Sequence, residues 1–144
     1  MSFTEFVLFF TDSILYLTML IIPLYLWGKD KEELTLYLLI LFLTGGLVYL
    51  LKFIFAVPRP PNAIVQLSSN AFPSTHAALG FFPLGFFFHK KKWRIPLFVY
   101  AVLITYSRVY LRVHYLSDVL VGALIGFLFP FIIYQKYFRS KRRK

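Results

Sequence analysis

The chain contains no cysteine, and only 6 of its 144 residues are Asp or Glu, against 16 Lys and Arg. Without cysteine there can be no disulfide, no thiolate nucleophile and no Cys-based metal site, and the redox compartment is left open. With so few carboxylates there is no cluster of the kind that holds Mg²⁺, so neither a metal nor a cofactor is expected. Internal repeats and low-complexity tracts are also missing. What the chain does have is apolar surface: 59% of its residues are hydrophobic, 21% are aromatic, and 18 are Phe, in runs such as Phe86-Phe87-Phe88. One soluble domain of this length cannot hide that much, and the apolar blocks run longer than buried strands do. The net charge of +10 does not indicate nucleic acid. It sits in short clusters beside apolar blocks, where anchoring at a membrane surface accounts for it.

The expected fold is therefore all-α: one integral-membrane domain over residues 1–144, a bundle of about five spanning helices. The first block, Phe3 to Trp27, opens with a turn carrying Glu5 and Asp12 and becomes fully apolar from Ser13. It has no basic leader and no small-residue cleavage site, so it is read as part of the mature chain. A charged connection at 28–33 leads to a second span, Leu34 to Leu51. Lys52 to Pro73 is the one long loop, with four prolines (Pro58, Pro60, Pro61 and Pro73), and Phe53 to Val57 is expected at the membrane interface. Ser74 sits where an N-cap belongs, ahead of a short, Pro-containing third span from His76 to Phe88. His89 to Arg94 is a basic turn, Ile95 to Tyr106 the fourth span, Leu116 to Tyr134 the fifth, and Lys136 to Lys144 a basic tail.

Alternation of these spans has a consequence for the polar residues. If the connection at 28–33, the basic turn and the tail face the cytoplasm, as the excess of Lys and Arg requires, the opposite face collects Lys52, Arg59, Ser74, His76, Arg108 and His114. The densest polar stretch runs from Ser107 to Asp118. Ionisable groups near hydrocarbon cost roughly 2.5 to 3.5 kcal/mol each on insertion scales, so their gathering implies a site. His114 and Asp118 are four apart, the spacing that stacks two side chains on one helix face. There the carboxylate can fix the imidazole tautomer and leave its other nitrogen basic. Arg108 would close one helix and His114 open the next. Arg112 lies between them, either contacting an anion or reaching for the surface, and His89 is read as structural. Several cations, two helix N-termini and two histidines suit a phosphoryl group better than a single carboxylate.

The sets Lys52-x6-Arg59-Pro60, Pro73-Ser74-Thr75-His76 and Ser107-Arg108-x5-His114-x3-Asp118 resemble, in order, the three signature motifs of the type 2 phosphatidic acid phosphatase (PAP2) superfamily. The resemblance implies metal-independent hydrolysis of a terminal phosphate on a membrane lipid. His114 would be the nucleophile, Asp118 its orienting carboxylate and His76 the general acid. Lys52, Arg59, Ser74, Thr75 and Arg108 would hold the phosphate, on the extracytoplasmic face of an inner or plasma membrane. Polyprenyl diphosphate, phosphatidylglycerol phosphate, phosphatidate and lipid A 1-phosphate all qualify as substrates, and the oligomeric state is open. A lipid phosphotransferase and a non-catalytic lipid-phosphate binder or transporter component are the alternatives, while the similar haloperoxidases are soluble. The chain departs from the family pattern at Thr75, where Gly is usual and where a positive φ would be strained. Members also commonly have six spans against the five counted here. The missing one is expected at the N-terminus, which puts Met1 outside.

Overall fold

A computed structural model of the chain describes residues 2–142 as α1 (Phe3–Trp27), α2 (Lys31–Phe55), α3 (Thr75–Phe86), α4 (Lys91–Tyr110) and α5 (Leu116–Arg142). Four of the five begin where a side chain accepts the first free amides. Ser2 and Glu5 form a reciprocal capping box, and Asp30 Oδ1 accepts from Glu32 and Glu33 at 2.9 Å. Ser74 Oγ accepts from Ala77 at 3.4 Å, and Asp118 Oδ2 from Tyr115 at 2.8 Å. Such a cap contributes about 1 kcal/mol.

Several boundaries differ from those expected. α1 is helical from Phe3, so Asp12 lies within it rather than in a preceding turn. α2 continues through Phe55, which makes Lys52 a residue of its last turn and Phe53 to Phe55 helical. It stops at Ala56, held in the left-handed region at φ 44°, one residue before Val57 is pushed out of the helical region by Pro58. α5 runs on to Arg142 because nothing after Tyr134 breaks it, so the described part of the basic tail is helical. Met1, Arg143 and Lys144 lie outside the described residues. Among the described residues α1, α2 and α5 are long and apolar enough to cross a membrane. α4 carries Lys91, Lys92 and Arg94 in its first turn and Arg108 in its last. α3, at 12 residues, reaches only about 18 Å and is enclosed by its neighbours.

The tightest seam joins α3 to α5. A Cβ added at Gly126 would stand 2.0 Å from the Ala78 carbonyl oxygen, and one at Gly122 would stand 2.4 Å from that of Ser74. In hydrocarbon, where burial of apolar surface does not drive helices together, small residues that let backbones approach supply the packing. The Ser74 amide donates to the Asp118 carbonyl at 2.9 Å, tying the starts of α3 and α5 together. Deeper in the bundle Tyr37 stands edge-on to Phe82 and Phe86, each at 5.0 Å, and Phe86 edge-on to Tyr134. Much of the remaining aromatic surface faces outward, with Phe42, Tyr49 and Phe53 each more than three-quarters exposed.

At one end of the bundle lie the starts of α2 and α4 and the C-terminal half of α5. There Lys90 donates to both oxygens of the buried Glu33 at 2.9 Å. His89 stacks on Tyr134 at 4.4 Å. At the other end the starts of α1, α3 and α5 meet the ends of α2 and α4.

Candidate active site

The link from α4 to α5 explains how His114 is placed. Arg112 adopts φ 54°, a left-handed conformation that costs a non-glycine residue roughly 1 to 2 kcal/mol. It turns the chain so that Val113 and His114 point into the bundle, both 5% exposed or less. His114 does not open α5, contrary to the sequence expectation. It stands two residues before it, and Asp118 meets it from the first helical turn. Nδ1 of His114 lies 3.5 Å from Asp118 Oδ2, both side chains almost wholly buried, and the contact is not aligned as a hydrogen bond. That oxygen is already held by the Tyr115 amide.

The other ring nitrogen faces a cation. Arg59 Nη1 is 3.4 Å from His114 Nε2 and also donates to the Val113 carbonyl at 2.6 Å. Because a guanidinium can only donate, Nε2 must present its lone pair, which places the ring proton on Nδ1 toward Asp118. Burial, then the charges of Arg59, Lys52 and His76, hold His114 down to a pKa of about 3. The ring is thus neutral with its basic nitrogen turned toward positive charge. Burial also lowers Arg59 from its ordinary value, yet a guanidinium stays charged at any working pH.

Lys52 and Arg59 are held in an unusual manner. Lys52 Nζ donates to the carbonyls of Asn70 at 2.7 Å and Ala71 at 3.2 Å. Arg59 Nε donates to the Ser69 carbonyl at 2.7 Å and Nη2 to the Ser69 hydroxyl at 2.8 Å. Asn70 returns a bond to the Lys52 carbonyl at 3.1 Å, closing the 69–71 segment over both cations. All of these acceptors are neutral. The two charges are fixed in position without being cancelled, which is the electrostatic condition for binding an anion.

Ser74 is fully buried, with its hydroxyl on its own helix. Thr75 is the first residue of α3, is not among the positive-φ residues, and so carries no strain from replacing glycine. Helix geometry leaves the amides of Thr75 and His76 without intrahelical partners at this end. Arg108 is 2% exposed. Its Nε donates to Ser107 Oγ at 3.0 Å, and Ser107 Oγ in turn donates to the Ile104 carbonyl at 2.6 Å. The remaining nitrogens reach α1, where Nη2 bonds Thr11 Oγ1 and Nη1 lies 2.9 Å from Asp12 Oδ1. The same Asp12 oxygen is 3.1 Å from His76 Nε2.

All eight residues singled out in the sequence therefore gather at this end. Arg112 lies beside them but is exposed, and His89 lies at the far end. Thr11 and Asp12 were missed. The available signal was an acidic residue inside an apolar helix. Among the described residues no three His, Asp or Glu side chains converge as metal ligands would.

The sequence profile of the PAP2 superfamily matches residues 33–142. Among solved structures, the chain is similar to a transmembrane PAP2-type phosphatidylglycerolphosphate phosphatase from Bacillus subtilis, at 30% identity and a TM-score of 0.79. That likeness covers 95% of this chain and 77% of the other. LpxE of Aquifex aeolicus is similar at 34% identity and a TM-score of 0.76, covering 89% and 84%. YbjG of Escherichia coli, named for undecaprenyl-diphosphatase activity, is 31% identical over 127 residues, 81% of this chain and 64% of its own length. Across the curated relatives it matches, the chain spans 39% to 64% of their length. The five-helix architecture, the membrane-spanning segments and the profile match agree, and the chain is an integral-membrane member of the PAP2 superfamily.

Proposed function

We propose that this protein is a metal-independent lipid phosphatase that removes a terminal phosphate from a membrane lipid through a phosphohistidine on His114. The observation that carries the reading is the pair of uncancelled cations, Lys52 and Arg59, beside the unprotonated Nε2 of a neutral His114. A phosphate dianion is drawn to these charges and to the free amides at the start of α3, with Arg108 completing the cradle. His114 Nε2 attacks phosphorus, and the Asp118 carboxylate facing the Nδ1 proton stabilises the imidazolium as it forms. His76 gives its proton to the leaving oxygen. In the second half, His76 takes a proton from water as the water attacks the phosphohistidine, releasing phosphate and restoring His114. The lysine and arginines supply the charge stabilisation that phosphoryl transfer demands.

The end opposite the site carries Lys29, Lys31, Lys90 to Lys92 and the basic end of α5. The tendency of such residues to stay inside supports a site on the extracytoplasmic face of the plasma or inner membrane. The relatives' names point to phosphatidylglycerol phosphate and undecaprenyl diphosphate. Either would keep its chains in the bilayer while its phosphate reaches the cradle. The test is phosphate release in detergent, with excess chelator, from polyprenyl diphosphate, phosphatidylglycerol phosphate, phosphatidate and lipid A, using wild type and His114→Ala. Release that survives chelation and disappears in the variant is expected. A folded wild type that releases nothing, or a variant that retains activity, overturns the reading.

A further inference from the structure

Asp12 belongs to none of the three motifs, and it reaches the site from the first helix, far away in sequence. Its Oδ1 stands between two groups of opposite duty, 3.1 Å from Nε2 of His76 and 2.9 Å from Nη1 of Arg108. The neighbouring Thr11 hydroxyl takes Nη2 of the same arginine while donating to the Val7 carbonyl at 2.7 Å, so α1 offers a built seat. With Nε on Ser107, every nitrogen of Arg108 has a protein partner. Unlike Lys52 and Arg59, this arginine is paired with a carboxylate, which cancels the charge a phosphate would use. The Asp12 oxygen is aligned as a hydrogen-bond acceptor for neither His76 nor Arg108. It is shared by position and charge rather than committed to one partner.

We propose that Asp12 is a positioning residue, a counter-ion shared by His76 and Arg108 that the substrate phosphate displaces from Arg108, leaving it to hold His76 during proton transfer. The inference rests on the phosphatase reading and adds to it a residue and an order of events. Before substrate arrives, Asp12 keeps the buried guanidinium neutralised. A dianion entering the cradle competes for Arg108. Once the arginine turns to phosphate, the carboxylate stays beside Nε2 of His76 and holds the ring in its orientation. Asp12 touches no reacting atom in this scheme.

Removing the charge while keeping the shape should therefore move two quantities in opposite directions. In Asp12→Asn, inhibition by inorganic phosphate strengthens about three- to tenfold, because a repelling charge and a competitor for Arg108 are lost. At the same time kcat on an alkyl lipid phosphate falls roughly 10- to 100-fold, part of the usual worth of a general acid. The kcat loss shrinks to within about threefold on an aryl phosphate, whose phenolate leaves without a proton. Asp12→Glu retains the charge and keeps wild-type phosphate inhibition. If Asp12→Asn does not fold, Asp12→Ser is read by the same three measurements. A residue needed only for packing would weaken phosphate binding and turnover together, equally for both leaving groups, and that result overturns the proposal, as does no change in either quantity. His114→Ala in the same preparations separates this failure from failure of the phosphatase reading. An inactive wild type defeats that reading, while the phosphate-binding arm, followed by protection against thermal unfolding, still reports on Asp12.

Discussion

The two ends of the bundle are built from the same chemical parts, a histidine, carboxylates and cations, and differ in what the cations are bound to. At the far end Lys90 gives hydrogen bonds to both oxygens of Glu33, and Tyr134 and His89 gather around the same carboxylate. Charge is cancelled, and the network clamps α2, α5 and the turn before α4. At the site end Lys52 and Arg59 spend their donors on carbonyls and a hydroxyl. These acceptors satisfy geometry and leave charge. Holding a cation and neutralising it are separate operations. Lys52 and Arg59 are held without being neutralised, whereas Arg108 at the same end is paired with Asp12.

The largest effect is expected at Asp118. In the proposed mechanism Asp118→Asn deprives the imidazolium at His114 of its counter-charge, and kcat should fall roughly 10²- to 10⁴-fold, as for other catalytic histidines deprived of their carboxylate. Near-normal turnover in a folded variant would remove Asp118 from the chemistry. Next in size, Arg59→Met or Lys52→Met should each lower kcat/KM on the order of 10²-fold, the worth of one charge-stabilising donor. The equivalent change at the far end, Lys90→Met, should leave turnover within about twofold while lowering stability by about 1 to 3 kcal/mol in detergent melts, because Glu33 is left buried without its cation.

A smaller effect comes from making one end resemble the other. Ser69→Asp puts a carboxylate where Arg59 now meets a hydroxyl, and kcat/KM should drop roughly tenfold as the charge is cancelled. The pH profile tests the same idea. His114 is held at about 3 by burial and by neighbouring cations, so the neutral nucleophile persists as pH falls through the ordinary histidine range near 6.5. The acid limb of kcat/KM, which reports the free enzyme, should accordingly lie below about pH 5 in wild type and move upward in Ser69→Asp. An acid limb at the same pH in both proteins would show that Arg59 does not set it.

The gathering of the candidate residues at one end was legible because histidines, arginines and a lysine beside hydrocarbon are costly and need a reason, and because alternating spans bring their ends together. The spacing from Arg108 to His114 correctly required a turn between them. The device that makes it, a left-handed Arg112, was not legible, because any residue can be forced there by the fold around it. The four-residue spacing of His114 and Asp118 suggested one shared helix face. In fact the pair forms across a helix start, which brings the two groups just as close. Asp12 was visible only as an acid near the start of an apolar segment. Nothing local in the sequence says that α1 returns to α3 and α4 at that depth. Gly122 and Gly126 were not singled out in the sequence, and only their backbone contacts with Ser74 and Ala78 reveal that they set the position of α3. Gly122→Ala should displace the start of α3 and reduce both stability and turnover.

Whether the phosphoryl group passes through His114 can be read from the stereochemistry at phosphorus. A lipid thiophosphate made chiral with ¹⁶O and ¹⁸O is hydrolysed in H₂¹⁷O, and the configuration of the released thiophosphate is determined. Attack by His114 followed by attack of water inverts the centre twice, so the account predicts overall retention. Inversion would mean that water attacks phosphorus directly and that His114 never carries the phosphate.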